Sequence, residues 1–340
     1  MTRLVVIGPE AAAAHTQAGH PEGPGRVRAA MAGVADLHLG DDLRLAEGRE
    51  PTLDELTRVH TARYVAELEA ACRSGLGQLD PDTYVTPGSW DAARRAAGAC
   101  LTGVAALQAG DADVAFVAAR PPGHHALANQ SMGFCLLNNV AIAAASLTAD
   151  GERVLIVDWD VHHGNGTERI FWDDPAVLYV STHQSPFYPG TGRVTDSGGA
   201  DARGLTVNIP VPAGATGDIL LQALDQVAAP VVERFRPTWV LVSAGFDAHR
   251  SDPLADLRLS AGDFAQLASL VAGFAPQPGR LALFLEGGYD HDAVRASVAA
   301  TLGALVGCNQ VAEAPTWGGP GRDAVELAGA LRARLAQEEP

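Results

Sequence analysis

The sequence lacks several features that would place it in other classes of protein. No uninterrupted apolar run reaches the length of about twenty residues that a membrane-spanning helix needs. The opening segment MTRLVVIGPE has a single basic residue and too short an apolar stretch for a secretion signal. Basic side chains are in deficit, since the formal net charge is −16. These absences predict neither a membrane partner nor a nucleic-acid partner.

Cysteine is also scarce and dispersed. The four cysteines, Cys72, Cys100, Cys135 and Cys308, have no metal-ligand spacing. Four scattered cysteines in a chain of 340 residues are typical of reduced, buried thiols. We therefore expect a cytoplasmic protein, and the sequence leaves a homo-oligomer open.

Apolar runs alternate with helical patterns along the whole chain. Seven such runs predict short buried strands, at Leu4–Ile7, Val114–Ala118, Val154–Val157, Val177–Ser181, Leu205–Ile209, Trp239–Val242 and Leu281–Leu285. Helices are predicted at Arg26–Ala35, Leu53–Thr57, Ala62–Ala71, Ser89–Ala109, Asn138–Leu147, Ile219–Phe235, Phe264–Phe274, Ala293–Leu305 and Asp323–Gln337. This alternation indicates an α/β protein with a mainly parallel sheet covered on both faces. No repeat or long linker interrupts it, so we predict a single domain over residues 1–340.

Two local details are predicted as well. Asp80–Pro87, which reads DPDTYVTP, is expected to be a surface loop. Ser89 is expected to be the N-cap of the alanine-rich helix that follows.

Polar residues at alternate positions follow the predicted strand Val154–Val157. Asp158, Asp160 and His162 are spaced by two, so in an extended chain their side chains point to one face. Carboxylates together with an imidazole suit a divalent cation such as zinc. The sequence therefore predicts a metal site where this strand ends.

Four loops that follow predicted strands carry chemically active residues. They are Arg120–Cys135 (RPPGHHALANQSMGFC), Asp158–Gly166 (DWDVHHGNG), Ser243–Pro253 (SAGFDAHRSDP) and Glu286–Asp290 (EGGYD). In parallel sheets the ligand site lies beyond the carboxyl ends of the strands. Asp160, His162 and Asp247 would form a carboxylate–imidazole–carboxylate set that leaves positions open for water and substrate.

Taken together and in this order, these motifs resemble those of the histone deacetylase family of zinc-dependent amidohydrolases. The resemblance is closest to class II enzymes and their bacterial relatives, and it extends from about residue 15 to about residue 307. It implies the arginase/deacetylase fold, with about eight strands in the central sheet and a terminal helix at about 323–337. It also implies the removal of acetyl or other acyl groups from acyl-lysine side chains by metal-activated water.

The resemblance assigns roles at the centre of the site. It implies that Asp160, His162 and Asp247 bind zinc. Tyr289, which follows two glycines, would hydrogen-bond the substrate carbonyl and the developing oxyanion opposite the zinc.

The tandem histidines match the pair that faces the metal-bound water in the family. In that pattern Asp158 holds His124, and Asn165 holds His125. A carboxylate stabilises an imidazolium far more than an amide does. We therefore expect His124 to be charged and His125 to be closer to neutral, which makes His125 the candidate general base.

The resemblance also implies a narrow acyl-lysine tunnel and a second cation. The tunnel walls and rim are implied at Gly133, Phe134, Phe187, Tyr188, Leu254 and Asp82. A structural potassium or sodium ion is implied at the backbone of Asp158, Asp160 and His162 and the hydroxyl of Ser181. Arg26 matches the arginine of an internal acetate channel, whereas His249 matches no role in the family.

Three alternatives differ in chemistry from an acyl-lysine deacylase. An acetylpolyamine or other acylated small-amine deacetylase would be expected to hold a distant ammonium with an acidic gate, where this chain has Leu254. A binuclear manganese enzyme of the arginase type would need more carboxylates than these loops offer. A non-catalytic acyl-lysine binder would be expected to lack Tyr289 or a tandem histidine, and neither is missing.

Overall fold

The computed structural model describes residues 2–8, 14–308 and 313–338 of the chain. In chain order the strands are β1 (Leu4–Ile7), β2 (Leu43–Ala46), β3 (Gly77–Gln78), β4 (Tyr84–Val85), β5 (Val114–Val117), β6 (Val154–Asp158), β7 (Val177–Gln184), β8 (Thr206–Val211), β9 (Trp239–Ala244) and β10 (Leu281–Leu285). Eight of them form one sheet in the order β2-β1-β5-β10-β9-β6-β7-β8. Every neighbouring pair in that sheet is parallel. The short strands β3 and β4 form a separate antiparallel pair.

Helices connect the strands and cover both faces of the sheet. They are α1 (Gly25–Ala35), α2 (Leu53–Thr57), α3 (Ala62–Ser74), α4 (Ser89–Gln108), α5 (Asn139–Ala149), α6 (Asn165–Ile170), α7 (Gly217–Ala223), α8 (Ala229–Phe235), α9 (Ala261–Ala272), α10 (His291–Val306) and α11 (Arg322–Glu338). Side chains of α1, α7, α9, α10 and α11 join the core on one face. Those of α3, α4 and α5 join the core on the other.

The strand sequences explain why both faces are buried. Along β1, Leu4 and Val6 enter one core while Val5 and Ile7 enter the other. The inner strands β5, β6, β7, β9 and β10 are buried at every residue. A strand covered on both sides must be apolar throughout, which is why these segments appear as continuous runs rather than as alternating patterns.

The predicted α/β fold with a parallel sheet is confirmed, and each of the seven predicted strands exists. The sequence analysis missed β2 because its four residues, LRLA, are only half-buried or exposed. They pair on one side alone, with β1. An edge strand of this kind lacks the buried apolar signal on which the other predictions depended.

Two local predictions around the alanine-rich helix are wrong. The segment Asp80–Pro87 is not wholly a surface loop, because it contains the buried strand β4. The N-cap of α4 is Gly88 and not Ser89. The Ser89 hydroxyl instead lies 2.6 Å from Nδ1 of His15 and accepts a hydrogen bond from the Thr86 amide at 2.7 Å.

The helix predicted at Ile219–Phe235 is divided into three pieces. A π-helical turn, Leu224–Ala228, separates α7 from α8. Pro230 lies in the first turn of α8 and has no N–H to donate, so a regular α-helix cannot run through this point. The short helix α6 was not predicted, because the glycines around Asn165 favour a turn.

Other composition-based expectations have mixed outcomes. No helix in the described ranges is long and apolar enough to cross a membrane. All four cysteines are free, and three are buried as expected, but Cys308 is partly exposed. The chain contains no lysine, and its 24 basic residues are all arginine. Surface ion pairs such as Arg63–Glu67 and Arg295–Asp36 accordingly use guanidinium groups.

Candidate active site

Four adjacent strands end at one cavity. The strands β5, β10, β9 and β6 lie side by side, and the loops after their carboxyl ends converge. The cavity has a volume of about 220 Å³. It is lined by Asp82, Pro122, His124, His125, Gly133, Phe134, Asp160, His162, Phe187, Tyr188, Leu254, Gly287 and Tyr289. The converging loops thus gather imidazole, carboxylate and phenol groups around one small space.

Two carboxylates and an imidazole meet at the base of this cavity. One ligand atom from each of Asp160, His162 and Asp247 lies within 4.8 Å of the others. Nδ1 of His162 is 3.1 Å from an oxygen of Asp160 and 3.2 Å from Oδ2 of Asp247. The Val161 amide donates to Oδ1 of Asp247, while the buried Oδ2 of Asp247 has no hydrogen-bond partner. These residues fit a divalent cation such as zinc, because they offer three ligands of a tetrahedral site and one unsatisfied anionic oxygen.

Glycine backbone surrounds the two carboxylates closely. The Gly287 amide donates to Oδ2 of Asp160 at 2.7 Å. A Cβ atom at Gly287 would overlap Oδ2 of Asp247, and one at Gly245 would overlap Oδ2 of Asp160. Only glycine therefore allows the β9 and β10 loops to approach the metal-ligand set this closely.

The electrostatics of this set also favour a cation. Burial, and then repulsion from Asp160, raise the pKa of Asp247 to about 7. Burial lowers the pKa of His162, but its interactions with the carboxylates of Asp160 and Asp247 outweigh this effect and raise that pKa to about 10. Without a metal, a proton on His162 and partial protonation of Asp247 offset the buried negative charge, and a bound divalent cation takes the place of these protons.

The tandem histidines lie above this set with different partners. Nδ1 of His124 donates to Oδ2 of Asp158 at 2.9 Å. Nδ1 of His125 donates to Oδ1 of Asn165 at 2.8 Å. The two imidazole rings lie 4.1 Å apart between centroids. Because each Nδ1 is engaged, each Nε2 remains free for chemistry at the cavity.

The two partners give the histidines opposite pKa shifts. Burial lowers the pKa of His124, but the carboxylates of Asp158 and Asp160 outweigh it and raise this pKa well above the usual value. Burial, and then the charges of His124 and His162, lower the pKa of His125 well below the usual value. At neutral pH His124 is therefore the charged histidine of the pair, and His125 is the neutral one.

Tyr289 lies at the cavity between a cation and an aromatic ring. The Arg26 guanidinium lies over the Tyr289 ring, 4.9 Å from its centroid. The Phe134 ring meets it edge-on with centroids 5.9 Å apart. Burial raises the pKa of Tyr289 well above the usual value, although the charge of Arg26 opposes this. The phenol is therefore protonated at neutral pH and can donate a hydrogen bond.

Comparison with known proteins agrees with this geometry. A family model described as "Histone deacetylase domain" matches residues 20–305 of the chain. The chain belongs to the histone deacetylase family. It is 39% identical over 275 residues to a "Probable deacetylase" of Archaeoglobus fulgidus, covering 79% of this chain and 76% of that protein. It is 38% identical over 327 residues to the "Histone deacetylase-like amidohydrolase" of Pseudomonas aeruginosa, covering 94% of this chain and 83% of the relative.

A solved structure of the family has the same fold. The "Crystal Structure of HDA15 HD domain" superposes with a TM-score of 0.89 at 34% sequence identity. The match covers 99% of this chain and 98% of that one. The predicted family and fold are thereby confirmed.

Most residues that the family resemblance singled out lie around the one cavity. The histidine pair, Tyr289 and every proposed tunnel residue line it. Asp158, Asn165 and Asp247 lie directly behind, each bonded to the loops at the site. Ser181 pairs with Asp158 across the β6–β7 ladder and hydrogen-bonds His183 at 2.9 Å. The monovalent-cation site proposed there stays a prediction.

His249, to which the sequence assigned no role, lies away from the cavity lining. Its Nε2 is 2.9 Å from a carboxylate oxygen of Glu313, and its Nδ1 accepts from the Ser251 amide. Glu313 also accepts a hydrogen bond from the Ala261 amide at the start of α9. His249 therefore links the loop after β9 to the segment before α11 through its hydrogen bond with Glu313.

Sequence reasoning missed two buried carboxylates that support the site. Glu286, at the end of β10, accepts the amides of Gly123 and His124 at 2.7 and 3.2 Å. Asp252 accepts the Tyr289 amide at 2.7 Å and the Leu254 amide at 2.9 Å. Neither shows a spacing signal for the site, because the amides that each holds there are distant in sequence: Gly123 and His124 for Glu286, and Tyr289 for Asp252.

Asp252 should set the position of Tyr289, so Asp252→Asn is expected to lower kcat. The amide would present an N–H group to one of the two backbone N–H donors, so one of these hydrogen bonds is lost. Changes at such supporting residues typically cost about ten- to a hundredfold in activity. Steady-state kinetics together with metal analysis should show reduced kcat at unchanged metal content.

The matched control is Asp290→Asn, an acid-to-amide change next to Tyr289. Asp290 is the N-cap of α10 and accepts the Ala293 amide at 2.8 Å, and asparagine caps helices equally well. Its kcat is expected to equal that of the unmodified chain. Equal kcat for both variants would show that Asp252 does not position the tyrosine.

Proposed function

We propose that this protein is a zinc-dependent amidohydrolase that removes acetyl or other acyl groups from acyl-lysine side chains. One observation carries the proposal. A neutral and a charged histidine lie side by side above the Asp160–His162–Asp247 set, within one narrow cavity. Amide hydrolysis needs a base for water, an acid for the leaving amine and a stabilised oxyanion, and this site offers a group for each.

The chain's own residues divide these tasks by charge. Zinc bound by the three-ligand set would supply Lewis acidity and lower the pKa of a coordinated water. His125, neutral with its Nδ1–H held by Asn165, presents a free Nε2 that accepts a proton from water and later delivers it to the amine. His124 stays charged against Asp158 and adds positive charge beside the developing oxyanion.

Tyr289 supplies the second stabilising group for the oxyanion. Its phenol remains protonated in the buried site, so it can donate to the substrate oxygen. Arg26 and Asp252 keep it in place, through the ring face and the backbone amide respectively. These contacts fix the tyrosine before substrate arrives, which is what makes such a donor effective.

Aromatic rings line the passage by which the substrate reaches this centre. Phe187 stacks on His162 with centroids 5.2 Å apart, and Tyr188 meets His125 edge-on at 5.2 Å. Phe134 completes the wall beside Tyr289. Apolar faces at this spacing suit a neutral methylene chain, such as the stem of an acylated lysine.

The rim carries one apolar and one acidic side. Leu254 lines the cavity without a charge, but Asp82 lines it as well. An anion is therefore available there, which favours an acetylpolyamine deacetylase as the second candidate. In an acyl-lysine substrate the same carboxylate would accept a peptide amide hydrogen, so Asp82 suits both substrates. Leu254 favours the peptide, because it places no second anion at the mouth.

We predict that acetyl-lysine peptides exceed acetylspermidine in kcat/KM, and that Leu254→Glu narrows the gap. A carboxylate at this partly buried position should favour the polyamine by about ten- to a hundredfold, the usual strength of a charged hydrogen bond. Released acetate, which both substrates give on hydrolysis, can be measured with a coupled enzymatic acetate assay at physiological salt.

Leu254→Gln serves as the matched control, since it adds polarity and size without charge. It should leave the substrate ratio unchanged. Higher kcat/KM for acetylspermidine with the unmodified chain would favour the polyamine function. No zinc-dependent turnover of either substrate would leave a non-catalytic binder as the better description.

A further inference from the structure

Arg332 is buried, and its partners among the described residues are backbone carbonyls, not carboxylates. The described residues include three buried arginines, and two of them, Arg26 and Arg120, pair with Glu22. Arg332, on α11, is 6% exposed, its two hydrogen bonds go to backbone carbonyls, and no acidic side chain in the described ranges influences its charge. Burial lowers the pKa of Arg332 to about 10. A buried guanidinium without a counter-charge is costly, so a ligand that supplies one would be bound favourably.

The hydrogen bonds of Arg332 leave part of its guanidinium available. Its two terminal nitrogens donate to the carbonyl oxygens of Gly204 at 3.4 Å and Asp196 at 3.2 Å. A guanidinium has five N–H donors, so these two long bonds leave three. The remaining donors form a fork that matches the geometry of a carboxylate.

A small cavity of about 200 Å³ lies directly beside this guanidinium. It lies between α11, the end of α8 and the residues before β8. Its lining includes Arg234 as a second cation, with apolar walls from Leu205, Val231, Phe235 and Leu335. Among the described residues no acidic side chain lines it, although the whole chain has a net charge of −16. The cavity is therefore a cationic site on an acidic protein.

The position of this cavity separates it from the catalytic site. It adjoins Gly204 and Leu205, which precede β8. The catalytic cavity lies beyond the carboxyl ends of the strands, at the opposite edge of the sheet. No residue lines both cavities.

We propose that Arg332 and Arg234 form a binding site for a short-chain carboxylate. The guanidinium fork takes the carboxylate, and the apolar walls take a hydrocarbon tail. The volume equals that of about six or seven liquid water molecules, which limits the tail to a few carbons. Inorganic phosphate fits less well, because the apolar walls would face those of its oxygens that the two arginines do not bind. The proposal does not rest on the proposed deacylase function.

The test is calorimetric titration of the full chain with butyrate and hexanoate at constant ionic strength. We expect saturable binding of both acids, and none of hexanol, which has the tail without the charge. Inorganic phosphate is the control for unspecific anion binding. Repeating the titration with Asp247→Ala removes the proposed metal set, and binding is expected to persist there.

Variants on α11 locate the site. Arg332→Met keeps the apolar stem and should weaken hexanoate binding by about ten- to a hundredfold, as loss of a charged hydrogen bond predicts. Arg332→Lys keeps the charge without the fork and should also weaken it, which tests the site if the methionine variant fails to fold. Arg334→Met changes an exposed arginine on the same helix and should bind as the unmodified chain does.

Four results would overturn the proposal. The first is absence of saturable carboxylate binding by the full chain. The second is equal binding by a folded Arg332 variant. The third is phosphate binding as tight as that of hexanoate. Loss of binding in Asp247→Ala would likewise assign the carboxylate to the metal set, and not to this cavity.

Discussion

Asp247→Ala is expected to abolish both zinc binding and turnover. Oδ2 of Asp247 is the one carboxylate oxygen of the proposed metal set without a hydrogen-bond partner, so it is the atom most in need of a cation. Its removal leaves Asp160 and His162, which are too few protein ligands for a catalytic zinc site. Metal analysis after dialysis should show near-zero zinc content. Turnover of an acetyl-lysine peptide should fall to background.

Asp256→Ala is the matched control for this variant. Asp256 is an exposed acid on the same segment after β9, and it contacts Gln184 rather than the metal set. It should keep full zinc content and full activity. An Asp247→Ala protein that is folded, metal-free and active would contradict the proposed mechanism.

His125→Ala is expected to lower kcat at least as much as His124→Ala does. His125 is the histidine that is neutral at working pH, and a general base must be neutral to accept a proton. Loss of a general base typically costs about a hundred- to ten-thousand-fold in rate. Steady-state kinetics of both variants at matched zinc content is the measurement. Nearly full activity in His125→Ala would remove this residue from the mechanism.

Asn165→Asp tests the same assignment through pH. Replacing the amide with a carboxylate would stabilise the protonated form of His125 and raise its pKa. The base would then be protonated up to a higher pH, so the acid limb of the kcat/KM profile should move upward. The amide of Asn165 is oriented by its N–H contact to the Met132 sulfur at 3.3 Å, which leaves its oxygen for His125. An unmoved acid limb would argue against His125 as the base.

The sequence predicted that Asp160, His162 and Asp247 meet, and the structure brings these residues together because they follow the ends of neighbouring strands. Buried strands are marked by continuous apolar runs, and the polar residues that follow them, such as Asp160 and Asp247, have few structural reasons to be there. Parallel strands bring these ends together whatever their separation in sequence. The resemblance to the family motifs then predicted Asp158 as the partner of His124 and Asn165 as the partner of His125.

The supporting residues could not be found in the same way. Glu286 and Asp252 bind backbone amides, which every residue has, so no partner residue type reveals them. The pairing of His249 with Glu313 joins segments 64 residues apart, and no local pattern predicts it. The π-helical turn between α7 and α8 likewise depends on packing as well as on Pro230.

The absence of lysine affects how readily this protein can itself be acylated. Reactive acyl thioesters and anhydrides modify the amino groups of lysine, and arginine's guanidinium, which stays protonated, resists them. With 24 arginines and no lysine, the chain offers no side-chain amine to such reagents. It cannot carry the side-chain modification that we propose it removes, so one copy never competes with substrate for the cavity of another. Its surface ion pairs also keep their charge in a medium rich in acyl donors.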